Sequence, residues 1–87
     1  MRHNRKYLDK IFNNTLPTLP EDERIYLNVE YSKRSLAKYS NCGFDSIKKL
    51  WFTGIYNCNL YILVETYGIN DATSEKLRKL VEERLRN

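Results

Sequence analysis

The 87-residue sequence has one histidine, three glycines, two prolines and two cysteines, and each scarcity closes off some chemistry. His3 stands alone near the amino terminus, so no Ser–His or Cys–His pair can be built around it. Zinc asks for three or four Cys or His ligands, and His3, Cys42 and Cys58 show no metal-ligand spacing. Gly43, Gly54 and Gly68 are isolated, which excludes a glycine-rich phosphate cradle. No metal, no cofactor and no enzymatic activity are expected. The longest strongly apolar run, Leu60 to Val64, falls far short of the roughly 20 residues that span a bilayer. Met1-Arg2-His3-Asn4-Arg5-Lys6 is basic but leads into no apolar stretch, so no signal peptide is read and a cytoplasmic location is expected. Two thiols in such a chain read as reduced and buried.

What is present is globular in character: 41% hydrophobic, 13% aromatic and 30% charged residues. The length suits one small domain, residues 1–87, and a chain of this size hides only about 60–65% of its surface on folding. The net charge of +4 is unevenly spread. Residues 1–20 carry four basic groups against Asp9, and residues 21–31 carry four acids against Arg24. Residues 32–60 hold Lys33, Arg34, Lys38, Lys48 and Lys49 against Asp45, and residues 61–87 are balanced. A polyanion would meet the amino terminus and the middle of the chain.

Periodicity points to an all-α fold, a compact bundle of five or six short helices. Tyr7, Leu8, Ile11 and Phe12 mark a basic amino-terminal helix, followed by a linker around Pro17 and Pro20 within residues 1–20; the core spans 21–87. Glu21, Asp22 and Glu23 suit the positive end of a second helix carrying Ile25, Tyr26 and Val29 inward. Ser32 reads as an N-cap for a third, and Ile47, Leu50 and Trp51 give one face of a fourth over Ser46–Phe52. Ile55 to Tyr67 has strand-like content but helical spacing, closed by Gly68-Ile69. Leu77, Leu80, Val81 and Leu85 form the stripe of the last helix, capped by Asp71 or Thr73.

One stretch carries more than helix signals. Ala37 supplies a small residue for a close helix crossing, and Asn41, four places on, tolerates positive φ. Cys42 plugs the corner, and Ile47 and Leu50 face inward at spacing three. Residues 32–54 thereby resemble the helix-turn-helix of the phage-repressor-like superfamily, in which an N-capping Ser or Thr precedes the Leu-Ala pair as Ser32 precedes Leu36-Ala37. The resemblance departs from the family at Asn41, where glycine is usual, and in an outward face carrying Gly43, Phe44, Asp45 and Phe52. It implies a small DNA-binding regulator. Lys48 and Lys49 would then meet phosphate or base edges, Phe44 and Phe52 thymine methyls, and Lys33, Arg34 and Lys38 the flanking backbone.

A second reading rests on seven tyrosines, nine asparagines and eight lysines beside only two alanines. That bias is similar in general character to small accessory proteins of large lytic phages, such as antiholins and inhibitors of host enzymes. A tyrosine-rich surface suits a protein partner or a homodimer.

Overall fold

A computed structural model describes residues 19–86. The expected amino-terminal helix over 5–14, its basic side chains and Pro17 lie outside the described residues. The fold is not the all-α bundle that periodicity suggests. Among the described residues it is a mixed structure in which three helices pack with a three-stranded antiparallel sheet of order β1-β3-β2. The strands are β1 (Ile25–Leu27), β2 (Gly43–Asp45) and β3 (Leu50–Thr53). The helices are α1 (Ser35–Tyr39), α2 (Leu60–Tyr67) and α3 (Glu75–Arg86), with 3₁₀ turns at Glu21–Glu23 and Tyr31–Lys33.

Two expected helices are replaced. The second helix reduces to the Glu21–Glu23 turn, and Ile25, Tyr26 and Leu27 follow as a strand. All three are fully buried, Ile25 and Leu27 on one side of the sheet and Tyr26 on the other. Three consecutive buried side chains suit a strand covered on both faces, because a helix stripe cannot hide successive positions. The expected helix over Ser46–Phe52 is instead the turn and second strand of a β-hairpin, so the second helix of a helix-turn-helix is absent. Leu50-Trp51-Phe52-Thr53 is aromatic and β-branched, and such residues pack well on a pleated surface.

The residues at the expected corner serve another turn. Ala37 is fully buried, Asn41 takes φ 58°, and Cys42 packs against the main hydrophobic cluster. Together they turn the chain from α1 into strand β2. Ser32 lies inside a 3₁₀ turn and makes no cap. Burial pushes the Cys42 thiol up to about 12, while Cys58 is exposed.

On one face of the sheet, Ile25 and Leu27 meet Leu60 and Leu63 of α2 and Leu77 and Val81 of α3. Asn57 ties the inner loops together: its amide donates to the Ser40 carbonyl at 2.6 Å and to Thr53 Oγ1 at 2.9 Å, and its Oδ1 accepts from Asn59 N–H. The Tyr67 hydroxyl donates to the Lys33 carbonyl and accepts from Ala37 N–H, which fixes α1 to the end of α2. Helix α2 stops at Gly68, whose φ of 80° is positive but whose ψ of 154° is extended rather than left-handed helical. Ser74, not Asp71 or Thr73, accepts from the Leu77 N–H at the start of α3. Among the described residues no helix is long and apolar enough to cross a membrane.

The opposite face carries Tyr26, Phe52, Gly43, Leu50 and Asp45, as the registers Tyr26↔Phe52, Gly43↔Phe52 and Asp45↔Leu50 require. The Phe52 ring lies across Gly43, where an added Cβ would stand 2.7 Å from the ring's tip. The ring cannot swing clear, being held edge-on by Tyr26 and covered by the Arg24 guanidinium at 4.2 Å. Gly43→Ala is therefore expected to destabilise the fold by about 1–3 kcal/mol, the usual cost of overpacking. Urea unfolding of Gly43→Ala, Phe52→Leu and the double variant checks it. The double variant should lie above the sum of the two singles, because the smaller Leu removes the clash.

Candidate functional site

The hairpin β2–β3 and its turn gather the most chemistry. Asp45, at the end of β2 and 9% exposed, accepts four hydrogen bonds. Its Oδ1 takes the N–H groups of Ile47 and Lys48, each at 3.0 Å, which shapes the turn. Its Oδ2 takes the Tyr26 hydroxyl at 2.8 Å and Arg24 Nη1 at 2.9 Å. Two oxygens offer about four lone-pair sites, so this carboxylate is saturated. The Lys48 N–H above all, then the Tyr26 hydroxyl, the Ile47 N–H and Arg24, hold the Asp45 carboxyl below the usual range. The turn closes with the Lys49 N–H donating to the Asp45 carbonyl at 2.6 Å and with Lys49 at φ 57°.

Neighbouring groups complete the face. Arg24 Nε donates to the Leu19 carbonyl at 2.9 Å. Lys48 pairs with Glu21 at 2.7 Å, which raises the lysine pKa. Burial first, and Asp45 second, raise the Tyr26 hydroxyl. None of these shifts leaves a group poised to exchange a proton near neutrality.

The side chains that sequence reasoning assigns to DNA fall into two groups. Lys33, Arg34 and Lys38 lie on the segment from the Tyr31–Lys33 turn into α1. Lys33 is exposed, 3.9 Å from Glu30. Arg34 stacks on the Tyr31 ring at 3.9 Å and donates to the Tyr31 carbonyl. The Lys38 ammonium lies 5.8 Å from the centre of the Tyr39 ring. Phe44, Lys48, Lys49 and Phe52 lie on the hairpin. Phe44 packs edge-on against Trp51 with ring centres 5.5 Å apart, on the side of the sheet opposite Asp45.

Sequence reasoning missed Ile47, Arg24 and Asp45. Helical spacing puts Ile47 in the core, yet it stands 93% exposed at the hairpin turn, and Phe44 beside it is 51% exposed. The signal that could have found them is an Asp between an aromatic residue and a run of strand formers, a common way to open a turn. Arg24, Gly43, Phe44, Asp45, Ile47 and Phe52 surround a cleft of about 440 Å³ beside β2. Comparison with protein-family models, with curated proteins and with solved structures finds no match.

The depressed pKa of Asp45 sets a pH dependence. Its stabilisation is complete above the unfolded carboxyl value of about 3.9 and drains away as pH falls through the lower folded value. Asp45→Asn is expected to be less stable than the native chain at pH 7, with the gap narrowing below about pH 4. Urea midpoints of both proteins between pH 7 and pH 2.5 measure it.

Proposed function

We propose that this chain is a non-enzymatic binding protein whose partner is another protein. The observation that carries the reading is the pair Phe44 and Ile47, large apolar side chains left open at the hairpin. Tyr31 and Tyr39, 79% and 80% exposed, extend the same aromatic character along the α1 segment. Tyrosine and other amphipathic rings bring large contact area at low conformational cost, and apolar anchors near pockets dominate many interfaces.

Charge supports a protein over DNA. Residues 19–86 hold eleven basic and ten acidic side chains, so three of the four net positive charges lie in residues 1–18. Within the described fold, Arg24, Lys48 and Arg78 are committed to Asp45, Glu21 and Asp71. Phosphate recognition draws its affinity from uncommitted cations that displace counterions. A hairpin stands where the resemblance puts the second motif helix, which speaks against major-groove reading by a helix from residues 43–53.

The test compares the native chain with Phe44→Ser/Ile47→Ser, whose changes fall on exposed positions. A stoichiometric protein partner, captured in the source cell and reconstituted from purified components, is expected to bind the variant at least tenfold more weakly, about 1.4 kcal/mol. Retention of random duplex DNA at low salt, with a logarithmic salt slope near −4 and no protein partner, would overturn the reading in favour of DNA.

A further inference from the structure

The two outer strands of the sheet are treated differently. Tyr26 of β1 donates its N–H to Thr73 Oγ1 at 2.9 Å, and its carbonyl accepts from the Asn70 N–H at 2.8 Å. Asn28 N–H donates to the Gly68 carbonyl at 3.1 Å, and Leu27 bridges to Ile69. The outer side of β1 is therefore sealed by the chain that follows α2.

The same bonds fix the backbone directions elsewhere. Both main-chain groups of Tyr26 face away from β3, so Ile25 and Leu27 bond to Thr53 and Trp51. Trp51 then faces β1 with its main chain, while Leu50 and Phe52 face β2 and meet Asp45 and Gly43. Phe44 stands between those two and must direct both its N–H and its C=O outward. A strand edge that presents such groups is a template for another strand.

The cleft is lined by all three residues of this strand, Gly43, Phe44 and Asp45, with Arg24, Ile47 and Phe52. A segment paired antiparallel to β2 would place one residue opposite Phe44, with its side chain beside the Phe44–Trp51 pair. The next residue would face Gly43 on the other side of the sheet, where the Phe52 ring lying across the glycine offers its tip as an apolar contact. The Arg24 charge there is already met by Asp45, so the position suits an apolar side chain. We propose that this edge takes an extended segment of a protein partner as a fourth strand, with an apolar side chain of that segment seated in the cleft at Gly43. The proposal rests on the protein-binding reading and specifies how the partner is held.

A second copy of this chain fits less well. Two-fold pairing about Phe44 would set the Asp45 of the second copy against Gly43. That carboxylate is saturated by its own fold and cannot turn into the cleft. A three-residue strand also offers far less than the roughly 800 Å² per partner of a standard interface. A short linear segment needs no such area to bind at micromolar strength, because strand addition draws on main-chain bonds and side-chain pockets together.

Random linear peptides displayed on phage provide the probe, and the tightest are then synthesised. They are expected to share two adjacent apolar residues in an extended, proline-free core. Phe44→Ala keeps the outward N–H and loses the ring, whereas Phe44→Pro loses both; proline is tolerated on a free edge. Affinity is expected to fall at least tenfold further in Phe44→Pro than in Phe44→Ala. Amide exchange on the unaltered chain supplies a readout free of folding effects: saturating peptide should slow Phe44 at least tenfold and leave Trp51 unchanged. Peptides that bind both variants equally, or that protect another surface, would overturn the edge while leaving a protein partner intact. A dimer by sedimentation that Phe44→Pro dissolves, with no peptide selected, would assign the edge to a second copy. Binding of duplex DNA with no peptide selected would overturn the edge and the protein reading together.

Discussion

The sheet is held on its solvent side by a single ionised carboxylate. Asp45 sits on β2, yet its partners lie on the far strand and in the adjoining turn, so it spans the sheet above β3. Tyr26 reaches it from β1, Arg24 from the residue before β1, and two turn amides from the hairpin. Breaking one member of a buried charged network leaves the others desolvated and unpartnered. The neighbouring contacts follow from this placement: the Arg24 guanidinium, anchored at one end by Asp45, lies over Phe52, and Phe52 can lie across the chain only because position 43 has no side chain. The main hydrophobic cluster on the other face supplies bulk, but it does not choose between a hairpin and a helix for residues 43–53.

That choice is where the sequence misleads. The last helix is legible because the stripe Leu77, Val81 and Leu85 has only one period, and Leu80 simply falls on the open side of it. The corner after α1 is legible too, since Ala37, Asn41 and Cys42 each have one local reason to be there. Ile47, Leu50 and Trp51 keep helical spacing equally well, and Asp45, two places before them, does not decide by itself. An aspartate offers the same side-chain oxygens to free backbone amides whether they begin a helix or round a hairpin turn. What tips the balance is contact with Tyr26 and Arg24, 19 and 21 residues away in sequence, and local spacing carries no trace of it. The segment Ile25-Tyr26-Leu27 misleads for the related reason that a strand covered on both sides has no period at all.

The candidate surface was legible only in part. Phe44 is readable as an outward aromatic in either fold, and it stays outward. The basic residues are readable as charge but not as available charge: Lys48 turns back to Glu21, and Arg34 lies on Tyr31. Ile47 was hidden by the wrong period, since the same residue is inward on the expected helix and fully outward at the turn. Its neighbour Lys49 holds a left-handed backbone without being glycine, a modest cost that the turn hydrogen bonds offset.

The closed side of β1 has a consequence for assembly. With Thr73 and Asn70 occupying that border, the sheet can accept a newcomer at one margin only. Any molecule laid against the other margin finds no second template among the described residues to pass on to the next. Under the strand addition proposed above, growth would end after one addition, giving a fixed one-to-one complex in place of the runaway stacking that two bare borders would invite.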